Sequence, residues 1–206
     1  MKKRRIAVLA SGGGTNLQAL LDAQADGRLI SGTIVSVISD TEGAFALERA
    51  RRASVEAVCI DRKTFTSRKE FEQALLDALD CRRIDLIVLA GFLSILGLQF
   101  VERYPNRIIN VHPSLIPSFC GKGMYGLKVH KAALDRGVKV SGATVHFVNE
   151  IPDGGPIILQ KAVAVLDDDT PQSLQERIMV EAERQLLWQA AEKVCSELGE
   201  DPDAEH

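Results

Sequence analysis

Arg5-Ile6-Ala7-Val8-Leu9-Ala10, followed at once by Ser11-Gly12-Gly13-Gly14-Thr15-Asn16 and then by Leu17, Leu20 and Leu21, is the stretch that decides the fold. The compact apolar run reads as a buried strand, and the leucines that follow recur at helical spacing. A glycine loop therefore joins a strand to a helix N-terminus. Glycines let a backbone approach an anion closely, while the free N–H groups and the helix dipole favour a phosphate there. The loop predicts a phosphorylated ligand, with a ligand-free glycine turn as the plain alternative. A dinucleotide is disfavoured: G-x-G-x-x-G would need a glycine where Leu17 stands, and no Gly-Lys-Ser/Thr follows for a P-loop.

Outward from this unit the pattern alternates. Strands are expected at Arg5–Ala10, Thr33–Ser39, Ala57–Ile60, Leu86–Ala90 and Ile108–Val111, and helices at Leu17–Ala25, Ala44–Arg52, Lys69–Leu79 and, shorter, around Ile95–Arg103. Thr66-Ser67-Arg68-Lys69-Glu70 starts the third helix with a hydroxyl cap. Such units imply a parallel sheet with helices on both faces. Beyond Ile108–Val111 the rhythm changes: a loop over Pro113–Gly126, a helix near Val129–Arg136, consecutive strands Val140–Val148 and Pro156–Val165, and a long helix Pro171–Leu198. Strands without a crossover helix predict an antiparallel extension. The expected class is thus α/β, a single Rossmann-like open sheet, mostly parallel with an antiparallel C-terminal extension.

Chemistry-bearing residues fall at strand ends. In Ile109-Asn110-Val111-His112-Pro113-Ser114, Asn110 and His112 are two apart on an extended chain, so both leave the same face. Asp153 precedes Gly154, Gly155 and Pro156, a turn that can present a carboxylate. An amide, an imidazole and a carboxylate suit acyl-type transfer to an amine, although His-Pro and Asp-Gly also serve as ordinary turns. Ligands of open parallel sheets bind beyond the carboxyl ends of the strands, so Ser11–Asn16, Gly91–Leu96 and Asn110–His112 should converge on one rim.

Composition narrows the classes. With 206 residues and 46% hydrophobic content the chain can bury one sizeable core, and its apolar runs are too short to span a bilayer. A net charge of −3 without a basic stripe argues against a nucleic-acid partner. Cys59, Cys81, Cys120 and Cys195 form no C-x-x-C, which fits reduced thiols better than zinc or disulfides, and Cys120 is read as incidental. Met1-Lys2-Lys3-Arg4-Arg5 precedes too short an apolar stretch for a signal peptide, so the expected setting is cytoplasmic.

The motifs Ser11–Ala19, Leu89-Ala90-Gly91-Phe92, Ile109–Leu115 and Asp153–Gln160, in this order over almost the whole chain, resemble the phosphoribosylglycinamide formyltransferase family. The resemblance implies a formyltransferase fold over residues 1–198, with a phosphosubstrate half of about 1–105 and a folate and catalytic half of about 106–198; the composition of 199–206 reads as a flexible acidic tail. It implies transfer of a formyl group from the co-substrate 10-formyltetrahydrofolate to glycinamide ribonucleotide in purine biosynthesis. No metal, nucleic acid or membrane is implied, and a homodimer is left open. Asn110, His112 and Asp153 match the catalytic trio. Gly14, Thr15 and Asn16 match the ribonucleotide loop, joined by Glu183 on the last helix, with Glu181 as the one-residue alternative. Arg68, Leu93, Ser94, Ile95, Leu96 and Asn110 match the folate contacts.

Two departures stand out. Ser94 occupies a position where many relatives carry arginine, and the loop Ser118–Gly126 is long, with Lys122 and paired glycines that suit a lid. His130 and His146 are expected to be structural. The competing readings are a formyltetrahydrofolate deformylase, in which water replaces the amine, and a non-catalytic phosphosugar or folate sensor. His112-Pro113-Ser114 and the glycine loop favour the transferase.

Overall fold

Ile6 and Val8 leave one side of strand β1 (Arg4–Leu9), Ala7 and Leu9 leave the other, and all four are completely buried. A strand apolar on both faces needs cover on both. In the computed structural model, which describes residues 3–200, two separate cores supply it. The remaining strands are β2 (Gly32–Ser39), β3 (Glu56–Cys59), β4 (Leu86–Leu89), β5 (Ile108–His112), β6 (Val140–Phe147) and β7 (Ile157–Ala164). They form one seven-stranded sheet in the order β3-β2-β1-β4-β5-β6-β7. Pairing is parallel from β3 to β5 and antiparallel from β5 to β7, as the change of rhythm predicts.

Helices α1 (Thr15–Ala25), α2 (Phe45–Arg52), α5 (Leu127–Arg136), α6 (Pro171–Ile178) and α7 (Arg184–Glu200) cover the face of Ile6 and Val8, through residues such as Leu17, Leu47, Ala133 and Leu187. Helices α3 (Arg68–Asp80) and α4 (Leu98–Arg103) cover the other face with Phe71, Leu75, Leu79 and Phe100. Strand order reverses between β1 and β4, which opens a crevice at their carboxyl ends. The two loops flanking it are tied together: Ser11 N–H donates to the Gly91 carbonyl at 3.0 Å, and Leu93 N–H donates to Ser11 Oγ at 2.8 Å.

Most expected elements lie within a residue or two of the observed ones, and the larger differences have local causes. The piece expected from Ile95 starts at Leu98, because Gly97 is extended and its N–H is taken by Glu72 Oε1 at 2.7 Å. Helix α3 starts one residue early because Ser67 Oγ accepts the Glu70 N–H at 3.2 Å, while the Glu70 carboxylate takes the Thr66 hydroxyl at 2.8 Å. A reciprocal Thr170–Ser173 box with Pro171 in the first turn opens α6. The helix expected as one piece over Pro171–Leu198 contains a π-helical turn, Met179–Glu183, between α6 and α7. It continues to Glu200, and residues 201–206 of the expected tail lie outside the described residues.

Six residues of helix are too few to persist on propensity alone, so α4 depends on packing. Phe100 is completely buried against the α3 side of the sheet and fastens both α4 and the loop before it. Phe100→Ala is expected to cost about 3–5 kcal/mol, the usual range for emptying an aromatic site in a core. Urea unfolding monitored by circular dichroism checks this.

Candidate active site

The crevice deepens into a cavity of about 620 Å³ at the carboxyl ends of the parallel strands. Its wall brings together Gly12–Asn16 of the glycine loop, Leu93 and Ile95 after β4, and Asn110, His112 and Asp153. The convergence expected of the three strand-end segments is therefore present in space.

Asn110 and His112 share a face of β5, and antiparallel pairing sets His146 of β6 directly opposite Asn110. Asn110 Nδ2 lies 3.2 Å from His146 Nε2. His146 Nδ1 is 2.7 Å from the Phe147 carbonyl, which can only accept, so that nitrogen carries hydrogen and, in the neutral ring, Nε2 accepts from the Asn110 amide. His146 thereby orients Asn110. Sequence reasoning placed this histidine in an apolar strand as a structural residue. Its link to the trio depends on strand register, which periodicity does not specify.

His112 is buried, with Nε2 donating to the Phe119 carbonyl at 2.9 Å and Nδ1 standing 3.5 Å from Asp153 Oδ2. Asp153 Oδ2 also accepts the Gly121 N–H at 2.8 Å, and Oδ1 lies 3.6 Å from His146 Nε2. The long loop is thus fastened to the trio at Phe119 and Gly121. Thr144 holds its start, donating to the Ser114 carbonyl at 2.7 Å and accepting the Ile116 N–H at 3.1 Å. Asp153 has a left-handed backbone, φ 58°, a conformation its short polar side chain tolerates. A Cβ at Gly155 would sit 1.8 Å from the Phe147 carbonyl oxygen, so glycine is required for the turn to close on β6. Burial pushes the Asp153 carboxyl upward, but His146, the charge on His112 and the Gly121 N–H outweigh it and hold the group below its ordinary value.

Beside the glycine loop Asn16 Nδ2 donates to Glu183 Oε2 at 2.7 Å, and both residues are buried. Burial raises the Glu183 carboxyl despite the opposing hydrogen bond from Asn16 and the charge on Arg184. The π turn carries Glu183 into the cavity wall and leaves Glu181 exposed outside it. Such turns occur often at functional sites because the inserted residue re-aims a side chain. The N-terminus of α1 has Gly14 as its cap and no side-chain cap, and among the described residues no acceptor takes the N–H groups of Gly13, Gly14, Thr15 or Asn16. A phosphate finds free donors there.

A family model described as formyl transferase matches residues 4–191. The chain belongs to the formyl transferase family. It is 40% identical to phosphoribosylglycinamide formyltransferase of Escherichia coli strain K12, over 85% of this chain and 80% of that protein. It is 45% identical to the trifunctional purine biosynthetic protein adenosine-3 of Drosophila melanogaster, over 86% of this chain, and spans 13% of that protein's length. The crystal structure of glycinamide ribonucleotide transformylase 1 from Symbiobacterium toebii superposes with a TM-score of 0.88 and 45% identity, covering 95% of this chain and 89% of that one.

Within this formyl transferase, the residues expected to contact folate separate. Leu93 and Ile95 line the cavity and are exposed, as a slot for a flat ring requires. Leu96 is buried in the α3-side core. Ser94 and Arg68 are not among the lining residues: Ser94 Oγ donates to Asp40 Oδ2 at 2.6 Å, and Arg68 Nε donates to Glu72 Oε1 at 2.6 Å. Lys122 is exposed and outside the wall, whereas Gly123–Gly126 of its loop line it. His130, expected to be structural, is completely buried yet borders the cavity, with no hydrogen-bond partner among the described residues. Burial, reinforced by the charge on His112, pushes its pKa down to about 4, so the ring is neutral at pH 7. Gln175 and Met179 also line the cavity without a sequence signal. Among the described residues no group of three or more His, Cys, Asp or Glu is arranged to hold a metal ion.

Because Asp153 titrates below its unfolded value of 3.8, its stabilising contribution is complete above that pH and is lost as pH falls through the folded-state value. The stability difference between the parent and Asp153→Asn is therefore expected to be largest above about pH 5 and to shrink below 3.8. Urea unfolding of both proteins across pH 3–7 checks this, and a difference independent of pH would contradict it.

Proposed function

We propose that this formyl transferase moves the formyl group of 10-formyltetrahydrofolate to the amino group of glycinamide ribonucleotide, giving formylglycinamide ribonucleotide and tetrahydrofolate in purine biosynthesis. One observation carries the reading: a single cavity holds both the backbone donors at Gly13–Asn16, which have no acceptor among the described residues, and the Asn110, His112 and Asp153 cluster. The phosphate belongs at the glycine loop, the ribose near Glu183 and the pteridine against Leu93 and Ile95, so that amine and formyl carbon meet beside the cluster.

The neutral amine attacks the formyl carbon, a C–N bond forms and the carbonyl electrons move onto oxygen. Asn110, held by His146, donates an amide N–H to that oxygen. The Nε2–H of His112, bound to the Phe119 carbonyl in the structure, is the second donor, so loop and oxyanion compete for it. Collapse breaks the bond to the folate nitrogen, which takes up the proton lost by the amine; Asp153 relays it through water. The glycine loop supports a transferase over a deformylase, because water needs no phosphate site. A cytoplasmic setting is part of this reading, supported by four free cysteines. No helix among the described residues is long and apolar enough to cross a membrane.

The test is tetrahydrofolate release from 10-formyltetrahydrofolate with and without glycinamide ribonucleotide. Release is expected to depend on the ribonucleotide, and equal release without it would establish a deformylase. His112→Ala is expected to lower kcat by ~10²–10³, the usual effect of losing an oxyanion donor, with ligand affinities retained. Absence of turnover in the parent would leave the sensor reading.

A further inference from the structure

Among the described residues the cavity wall includes no lysine or arginine, although the proposed substrate brings a phosphate dianion. The cation at the glycine loop lies behind it. Arg49 of α2 donates from Nε to the Gly13 carbonyl at 2.8 Å and from a terminal nitrogen to Gln18 Oε1 at 2.9 Å. Its stem packs under the loop, with Cδ 3.3 Å from the place a Gly14 Cβ would occupy, and its guanidinium lies over the Phe45 ring at 4.9 Å. One residue earlier in the loop the Gly12 carbonyl is held in the same way, by the Ala46 N–H at 3.0 Å.

A trans peptide unit points its C=O and its N–H in opposite directions. Holding the Gly12 and Gly13 carbonyls on α2 therefore turns the N–H groups of Gly13 and Gly14 away from α2, toward the cavity. A cation on the Gly13 carbonyl also polarises that peptide and strengthens its N–H as a donor. Neither hydrogen-bond partner of Arg49 is charged, so these contacts leave its positive charge uncompensated.

We infer that Arg49 is the positioning residue of the phosphate site: from behind the loop it orients the Gly13–Gly14 peptide and supplies the positive charge that the cavity wall lacks. The inference rests on the proposed ribonucleotide reading, and it assigns the phosphate a charge partner that never touches it. Phosphate recognition here is indirect, through a polarised peptide.

Calorimetric titration of the full chain with glycinamide ribonucleotide and with its unphosphorylated riboside tests this. Arg49→Met is expected to weaken ribonucleotide binding about tenfold, in line with loss of a charge-assisted hydrogen bond, and to leave riboside binding unchanged. Arg49→Lys, which keeps the charge but cannot hold the Gly13 and Gln18 oxygens together, is expected to fall between. In steady state, KM for the ribonucleotide should rise while KM for the folate and kcat stay within twofold. Equal loss for nucleotide and riboside in both variants would mean a merely structural role and overturn the inference, as would unchanged ribonucleotide affinity in Arg49→Met. A parent that binds the ribonucleotide no better than the riboside would overturn it too. A parent that binds the ribonucleotide tightly but transfers no formyl group would refute the enzymatic reading and leave the Arg49 comparison decisive.

Discussion

Everything around Asn110 and His112 depends on one half-buried carboxylate. Asp153 faces His112 of β5, His146 of β6 and the Gly121 N–H of the long loop, so three segments remote in sequence meet on its two oxygens. Burial alone would favour the neutral acid; the surroundings reverse that preference and hold the carboxyl below its ordinary value. Its glycine turn is closed so tightly on β6 that a side chain at Gly155 would collide with the Phe147 carbonyl. Once Asp153 is placed, the orientation of His112 follows. His146 meanwhile aligns Asn110 from across the strand pair.

The glycine loop uses a different physics. Its free donors belong to the backbone, exposed where β1 gives way to α1 without a side-chain cap, and α2 braces the loop carbonyls from behind. The buried Asn16–Glu183 pair lies beside it, and a π turn in an otherwise regular helix delivers the carboxylate. Much of the shared cavity wall is apolar, which lowers the local dielectric around the polar clusters. The sheet reversal between β1 and β4 makes both clusters accessible from one crevice.

Much of this was legible in the residues. Strand and helix periods, the glycine loop and the strand-end position of Asn110 and His112 all have local signatures, and each appears where expected. The long loop, the segment after β4 and the histidines were less legible. Leu93, Ser94, Ile95 and Leu96 are adjacent, yet two face the cavity, one is buried in the core and one binds Asp40, because the irregular loop after β4 has no period from which directions can be inferred. Arg68 is committed to Glu72, an i to i+4 contact that helix geometry permits but that could not be ranked against a ligand contact beforehand. His130 and His146 resembled core histidines, because burial and site membership coincide there.

By itself the sequence determined what short-range physics determines: a buried parallel sheet with an antiparallel extension, a glycine-lined helix start, and an amide and imidazole sharing one strand face. These follow from backbone preferences and from periods of 2 and 3.6 residues, which act over a few neighbours. Tertiary structure decided the pairing of His146 with Asn110, the delivery of Glu183 rather than Glu181, the removal of Ser94 and Arg68 from the cavity wall, and the bracing of the glycine loop by Arg49. Each depends on strand register, a one-residue change of helical phase or contact between separate elements, and no local pattern encodes a contact whose partner lies on another element.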